Sequence, residues 1–106
     1  MNTQFKRGVV EMLVLKVVKD QPRSSYDVID TLSKRIDVNE NTVYPILRRL
    51  TKQGYFETKT QASLVGAPRK VYSITGVGEQ KLDAFLEEWA EFLEEVLTIL
   101  GGDNHE

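Results

Sequence analysis

Residues 4–19 impose the strongest constraint on how this chain can fold. They predict a helix on which apolar side chains cover far more than one stripe of about 100°. These apolar residues are Val9, Val10, Met12, Leu13, Val14, Leu15, Val17 and Val18. A helix that is apolar almost all round must be buried on more than one side. In a chain of 106 residues, we expect a second copy of the protein to cover part of this helix, including Val10.

The composition is that of one soluble globular domain, and it excludes several kinds of site. No apolar run approaches the ~18 residues that a membrane span requires, and no signal peptide is recognisable. The absence of cysteine excludes a disulfide, a thiolate zinc site and a cysteine nucleophile. The single histidine, His105, leaves neither a Ser-His-Asp triad nor a multi-histidine metal cluster. We therefore expect a cytoplasmic protein that is not an enzyme and has no cofactor, no metal and no membrane partner.

The formal charge of -2 conceals a strong separation of charge along the chain. Residues 1–72 carry 13 of the 14 basic residues and 7 of the 16 acidic ones, a net +6. Residues 73–106 carry one lysine and 9 acidic residues, a net -8. This asymmetry is typical of a polyanion-binding part joined to an acidic part, although a well-solvated acidic helix gives the same pattern.

Capping residues predict two more helices after the first. Ser24 can cap a second helix, with Asp27 in a capping-box position. Asn39 is a good N-cap for a third helix, which runs to about Gln53 with Gly54 as its C-cap.

Two short stretches rich in aromatic and β-branched residues, 55–60 and 70–75, predict a hairpin. Arg69 and Lys70 at its tip suit a basic wing that follows a phosphate backbone, although a soluble loop would look the same. A last helix begins after Thr75 and ends near Leu100. The fold class is therefore mainly α with a small β-hairpin (α+β). The predicted domains are a winged helix-turn-helix over 1–75, a C-terminal dimerisation helix over 76–100 and a flexible tail over 101–106.

The third helix is the candidate DNA-reading element. Its core face is predicted from apolar residues at i, i+3, i+4 and i+7, namely Val43, Ile46, Leu47 and Leu50. Its remaining surface carries polar and basic side chains suited to base edges and phosphates: Asn41, Thr42, Tyr44, Arg48, Arg49 and Lys52. A capped helix and a tight turn precede it, as in a helix-turn-helix. An ordinary amphipathic helix with a solvated basic face remains the alternative, and Pro45 predicts a tightened or kinked first turn.

The last helix carries an apolar stripe that favours a homodimer. Its residues recur in steps of three and four over nearly three heptads. The predicted contact residues are Leu82, Phe85, Leu86, Trp89, Phe92, Leu93, Val96 and Ile99. The stripe is too long to be covered by one edge of so small a domain. Phe85 and Trp89 could hold a planar hydrophobic molecule, although aromatic residues at helical spacing are more often core.

Four segments resemble the PadR-like transcriptional regulators. Residues 41–57 resemble the reading helix and first wing strand of that family. Residues 8–15 and 25–29 are similar to its first two helices, and residues 68–75 with Gly78 to its second wing strand and the entry into the dimerisation helix. The resemblance covers about residues 5–100. The Thr-Val-Tyr-Pro and Pro-Arg-Lys-x-Tyr elements are specific only in combination.

The resemblance implies a winged helix-turn-helix homodimer that represses genes by binding a pseudo-palindromic inverted repeat in double-stranded DNA. In this family the Tyr-Pro pair lies inside the reading helix, so the helix tolerates Pro45. Tyr44 and Tyr26 are expected on phosphate, with Tyr72 near the wing. Some members sense phenolic acids or hydrophobic drugs, and Trp89 falls where a drug-binding aromatic residue would project.

Two departures from the family pattern and two alternative functions accompany this interpretation. The family often has two glycines before Pro-Arg-Lys, whereas this chain has Gly66 and Ala67, which predicts a stiffer wing tip. Gly76 stands at a commonly acidic position and weakens the start of the last helix. The first alternative function is a sensor of multiple drugs or phenolic acids whose pocket controls DNA release. The second is a winged-helix protein-interaction module.

Overall fold

Within the described residues, four α-helices and a small three-stranded antiparallel sheet make up the fold, which confirms the predicted α+β class. The computed structural model describes residues 3–62 and 65–101, with side chains from Gly8 onward. The helices are α1 (Thr3–Asp20), α2 (Ser25–Ser33), α3 (Glu40–Lys52) and α4 (Gly76–Ile99). The strands are β1 (Arg23–Ser24), β2 (Phe56–Gln61) and β3 (Arg69–Ile74), in the order β1-β3-β2.

Helix α1 is the centre of the core, and its own chain covers it on several sides. It packs against α2, α3, α4 and β3. Val14 and Leu15 are completely buried, and Val10 is 1% exposed. Burial on more than one side is therefore confirmed, but the prediction that a second copy covers Val10 is wrong. Val10 already contacts its own chain and has almost no surface left for a partner.

Strand β1 was not predicted, because two residues carry no periodic pattern. Its residues Arg23 and Ser24 pair with Tyr72 and Val71 of β3. The Ser24 hydroxyl also caps α2, accepting a hydrogen bond from the Asp27 backbone N–H at 3.2 Å, as predicted.

The Arg23 side chain braces the junction between α1 and α2. Its Nε donates to the Val17 carbonyl at 2.7 Å, which satisfies one of the terminal carbonyls of α1, and Nη1 donates to Thr31 Oγ1 at 3.2 Å.

The end of α3 and the start of α4 meet at one hydrogen-bonded junction. Gly54 has φ +86° and ends α3 with a pair of bonds, from its own N–H to the Thr51 carbonyl and from the Tyr55 N–H to the Leu50 carbonyl. The Thr75 N–H donates to the Tyr55 carbonyl at 3.0 Å. Thr75 Oγ1 in turn accepts from the Gly78 N–H at 3.0 Å and so caps α4.

Helix α4 begins in the core and then leaves it. Leu82 is completely buried, whereas Phe92 and Leu97 are 53% and 52% exposed. The helix contains 24 residues, so it is about 36 Å long at about 1.5 Å per residue. Of the tail predicted over 101–106, residues 102–106 lie outside the described residues.

Candidate nucleic-acid interface

One side of α3 presents a continuous row of solvent-exposed polar side chains. We call this row the reading face; it consists of Asn41, Tyr44, Arg48 and Lys52, which are all exposed. The residues follow each other in steps of three or four and therefore lie along one side of the helix. The opposite side is buried as predicted, through Val43, Ile46, Leu47 and Leu50. The core contact thus fixes which side chains α3 can offer to a ligand.

The start of α3 is well defined despite its internal proline. Asn39 Oδ1 accepts a hydrogen bond from the Asn41 N–H at 2.9 Å, which confirms the predicted cap. The Asn39 carbonyl accepts from the N–H groups of both Thr42 and Val43, at 3.0 and 3.1 Å, so the first turn is tightened. Beyond it the helix continues through Pro45, whose ring lies on the exposed side. A break that would have destroyed the reading face is absent from α3.

The N-terminus of α2 adjoins the reading face and extends it. Ser25 Oγ donates to Tyr44 Oη at 3.4 Å. Tyr26, the next residue, is 64% exposed. Unpaired backbone N–H groups and the positive end of the helix dipole make such a terminus favourable for phosphate. The sequence did not indicate Ser25 as a site residue, because its hydrogen bond to Tyr44 joins positions 19 apart in the chain.

Arg49 does not belong to the reading face, although the sequence analysis placed it there. Its guanidinium forms an ion pair with the carboxylate of Glu11 on α1. A step of one residue rotates the side chain by about 100° around the helix axis, so Arg49 lies on the flank toward α1 while Arg48 faces solvent. Thr42, seven positions earlier, is half-buried on the same flank.

We define the wing as β2, β3 and the segment between them. Its two predicted basic residues lie on opposite faces of the sheet. Arg69 and Lys70 are neighbours in β3, and successive side chains of a strand alternate between faces. Lys70 is directly opposite Thr60, whereas Arg69 shares its face with Lys59, a basic residue that the sequence analysis missed. Residues 63 and 64 of the tip lie outside the described residues.

Tyr72 lies at the root of the wing and is buried rather than available as a ligand contact. Its ring packs edge-on against Phe56, with 6.2 Å between the centroids. Burial raises the pKa of the Tyr72 hydroxyl above its ordinary value of 10.0, and the neighbouring Tyr44 hydroxyl adds to the effect. The nearby guanidinium of Arg48 partly opposes this shift in pKa. Arg48 and Tyr44 therefore stand at the corner between the reading face and the wing.

The apolar stripe of α4 is only partly available for a second copy. Among its predicted residues, Ile99 is 81% exposed and Leu86 and Leu93 are 41% and 40% exposed. Leu82 is completely buried against its own chain, so its assignment to a dimer contact is wrong for the same reason as that of Val10. The exposed stripe is therefore shifted toward the C-terminal half of α4 and also contains Leu97 and Leu100.

A groove of about 290 Å³ separates the N-terminal part of α1 from the middle of α4. Both predicted pocket residues, Phe85 and Trp89, line it, and α1 contributes residues that the sequence analysis missed. The groove is lined by Gly8, Val9, Met12, Phe85, Glu88, Trp89 and Phe92. A second, acidic depression shares Glu88 and Phe92 with the groove.

The described residues offer neither a metal site nor a membrane-spanning helix. Within 3–62 and 65–101, no group of three acidic, histidine or cysteine side chains is placed to hold a metal ion. No helix in the described part of the chain is both long and apolar enough to cross a membrane.

Comparison with known proteins matches this geometry. The model of the transcriptional regulator PadR-like family matches residues 14–84. A PadR-like transcriptional regulator from Bacillus cereus is 30% identical, covering 95% of this chain and all of its own, with a TM-score of 0.84. A PadR-like transcription factor from Bacteroides fragilis is 33% identical over 92% of this chain and 95% of its own, with a TM-score of 0.79.

A more distant likeness concerns the fold alone. Bacillus subtilis PadR, solved in complex with operator DNA, is 24% identical over 74% of this chain and 46% of its own, with a TM-score of 0.66. The family model covers well over half of the chain, and the family comprises transcriptional regulators rather than enzymes. This protein therefore belongs to the PadR-like family of transcriptional regulators.

Proposed function

We propose that the protein is a homodimeric repressor that binds an inverted repeat in double-stranded DNA. The observation that carries this proposal is the reading face, because its four exposed polar side chains project from a rigidly capped helix. Asn and Arg side chains can make paired hydrogen bonds to adenine and guanine, so Asn41 and Arg48 are assigned to base edges. Lys52 lies at the end of the row and is assigned to phosphate.

Phosphate contacts flank the reading face on both sides in this proposal. The hydroxyls of Tyr44 and Ser25 meet at the N-terminus of α2, and the exposed Tyr26 is the next residue of that helix. Lys59, Arg69 and Lys70 follow the backbone from the wing. Contacts of this kind fix the register of a protein on the duplex, whereas base contacts determine the sequence that it prefers.

In the proposed dimer, the apolar stripe of α4 provides the surface that contacts the second copy. Leu97, Ile99 and Leu100 leave more apolar surface exposed than scattered surface residues normally do, and they lie along one long helix. Paired reading helices in such dimers enter successive major grooves about 34 Å apart, which matches a pseudo-palindromic site. The acidic residues of α4 keep this helix from approaching the DNA.

Titration of the full-length protein against the DNA upstream of its own gene tests the proposal. We expect tight binding to one fragment, weak binding to a scrambled duplex of the same length, and affinity that falls steeply with salt. Equal and weak binding to every duplex would overturn sequence-specific repression. Absence of salt-dependent retention on either heparin or DNA would favour a protein-interaction module.

The groove supports a second function, the sensing of a planar hydrophobic molecule. Its wall is mainly apolar and includes Trp89 and Phe92, with ring centroids 6.2 Å apart. The only charged group that lines it among the described residues is the carboxylate of Glu88. This charge favours neutral or cationic drugs over phenolic acids, which are anionic at neutral pH.

Trp89 is the only tryptophan and therefore reports on the groove alone. We expect 9-aminoacridine, a planar cation, to quench its fluorescence in the absence of DNA and to weaken DNA binding of the wild type. Because this dye also intercalates into DNA, the effect on DNA binding must be smaller in a Trp89→Ala variant. The anion anthracene-9-carboxylate has a three-ring system of the same size. It is expected neither to quench Trp89 nor to weaken DNA binding. Quenching by both compounds without an effect on DNA binding would contradict a sensing role.

A further inference from the structure

The ion pair between Glu11 and Arg49 joins α1 to α3, and it has no place in the proposed DNA contacts. The Glu11 side chain is 17% exposed and that of Arg49 is 37% exposed. Two further ion pairs of the described residues, Lys16–Asp20 and Lys34–Asp30, each join positions four apart in the chain and lie at the surface. Compared with these two, the Glu11–Arg49 pair is less exposed, and it joins two helices.

Arg49 stands next to a residue of the reading face but has a different environment. Arg48 is exposed, and its guanidinium is free to approach DNA. Arg49 is directed toward α1 by its contact with Glu11, although it follows directly after Arg48 of the reading face. These neighbouring arginines differ in direction, by about 100° around the helix axis, and in the carboxylate of Glu11 that Arg49 contacts.

Release of Arg49 would be costly while Glu11 is present. Glu11 is 17% exposed, so removal of Arg49 from this half-buried ion pair leaves a partly desolvated carboxylate without compensation, which is less favourable than separating a surface pair. A phosphate would have to compete with a carboxylate that is already in contact. The positive charge of Arg49 is therefore neutralised before DNA arrives.

We propose that Glu11 is a positioning residue that withholds Arg49 from the phosphate backbone and so limits non-specific DNA binding. This inference rests on the proposed function as a DNA-binding protein. Phosphate contacts supply nearly all of the affinity for non-specific DNA but only part of the affinity for a specific site. Suppression of one phosphate contact therefore raises the ratio of specific to non-specific affinity.

The test compares Glu11→Gln, Arg49→Gln and the double variant, with fluorescence anisotropy on a mixed-sequence duplex at several salt concentrations. Glu11→Gln is expected to raise affinity for this duplex several-fold and to steepen the dependence of log K on log salt by about 0.9 per chain, the value of one phosphate contact. Arg49→Gln is expected to leave the slope unchanged. The double variant should behave as Arg49→Gln does, since the gain in Glu11→Gln depends on Arg49.

Controls separate this effect from a general change in charge or loss of fold. Glu79→Gln removes a carboxylate from the exposed start of α4, so it is expected to leave the slope unchanged. If Glu11→Gln fails to fold by circular dichroism, the exchanged pair Glu11→Arg with Arg49→Glu restores the contact and should retain the wild-type slope.

The outcomes distinguish this inference from the proposed function. A flatter slope for Arg49→Gln would show that Arg49 contacts phosphate in the wild type and would overturn the inference. An increase in affinity that persists in the double variant would overturn it as well. If the wild type shows no salt-dependent affinity for any duplex, the proposed function itself fails.

Discussion

Thr75 Oγ1 donates a hydrogen bond to the carbonyl oxygen of Gly54 at 2.7 Å. Gly54 ends the reading helix, and Thr75 is the N-cap of α4. The two helices are thus joined through one side chain, and the Thr75 N–H adds a second bond to the adjacent Tyr55 carbonyl. This junction fixes the direction of α4 relative to the reading face, so a dimer formed through α4 would hold its two reading faces at a set distance.

Gly78 lies at this junction, and the space around it does not accommodate a side chain. A Cβ atom at this position would lie 2.2 Å from the Tyr55 carbonyl oxygen and 2.7 Å from a side-chain carbon of Ile74. Because the first of these atoms belongs to the backbone, the junction itself must move. We expect Gly78→Ala to lower the free energy of unfolding by about 3 kcal/mol. Urea denaturation measures this change.

Gly8→Ala provides the matched control on α1. Nothing lies within 4 Å of a Cβ atom at Gly8, and alanine is the better helix former. This variant is expected to raise the free energy of unfolding by about 0.5–1 kcal/mol. Equal losses for the two substitutions would contradict the crowding assigned to Gly78.

Arg48→Ala tests the reading face through its charge. We expect binding to the operator to weaken by about 1–3 kcal/mol and binding to a scrambled duplex to weaken less, because Arg48 is assigned to a base edge. Lys16→Ala removes the same charge from the exposed surface of α1, where Lys16 pairs with Asp20 at 2.9 Å. This control should bind DNA as the wild type does, and an equal loss in both variants would contradict the assignment of Arg48.

Leu97→Glu tests the dimer. Leu97 is 52% exposed in a single chain, so a carboxylate there is harmless to the monomer but would be buried in a dimer formed through the apolar stripe. We expect the dimer dissociation constant to rise by roughly 100-fold, as measured by sedimentation equilibrium. Val77→Glu alters a residue of similar exposure, 57%, in the first turn of α4, and it should leave the dimer intact.

The local elements of the fold were largely predictable, because each carries its own signal. Asn39 and Thr75 cap the helices that they were predicted to cap, and Gly54 ends α3 with the left-handed conformation that glycine allows. The core side of α3 followed from its spacing of apolar residues alone. These features depend on residues within one or two helical turns of each other.

Features that depend on distant pairs were not predictable from the sequence. Arg49 has the same polarity as Arg48, and only its contact with Glu11, 38 positions away, separates their roles. Val10 and Leu82 fit the pattern of an interface residue and that of a core residue equally well. Hydrophobicity alone does not tell whether the same chain or a second copy buries a side chain. The placement of Lys59 on the same face as Arg69 likewise required the strand register.

The last prediction concerns stability at alkaline pH and the hydroxyl of Tyr72. Burial raises the pKa of this group in the folded protein above its ordinary value of 10.0, so the folded state holds the phenolic proton more tightly than the unfolded state does. The contribution to stability is fully present below that ordinary value, and it is lost as the pH rises from there through the folded-state pKa. Tyr72→Phe keeps the edge-on contact with Phe56 and removes the titrating group.

Urea denaturation of both proteins from neutral to strongly alkaline pH measures the effect. We expect the free energy of unfolding of the wild type to fall above about pH 10, more steeply than that of Tyr72→Phe. Identical pH profiles for the two proteins would contradict a buried Tyr72 hydroxyl. Arg48→Ala offers a second check, because it removes the charge that lowers the pKa of Tyr72. It should leave the onset near about pH 10 unchanged and extend the loss of stability to higher pH, because only the folded-state pKa rises.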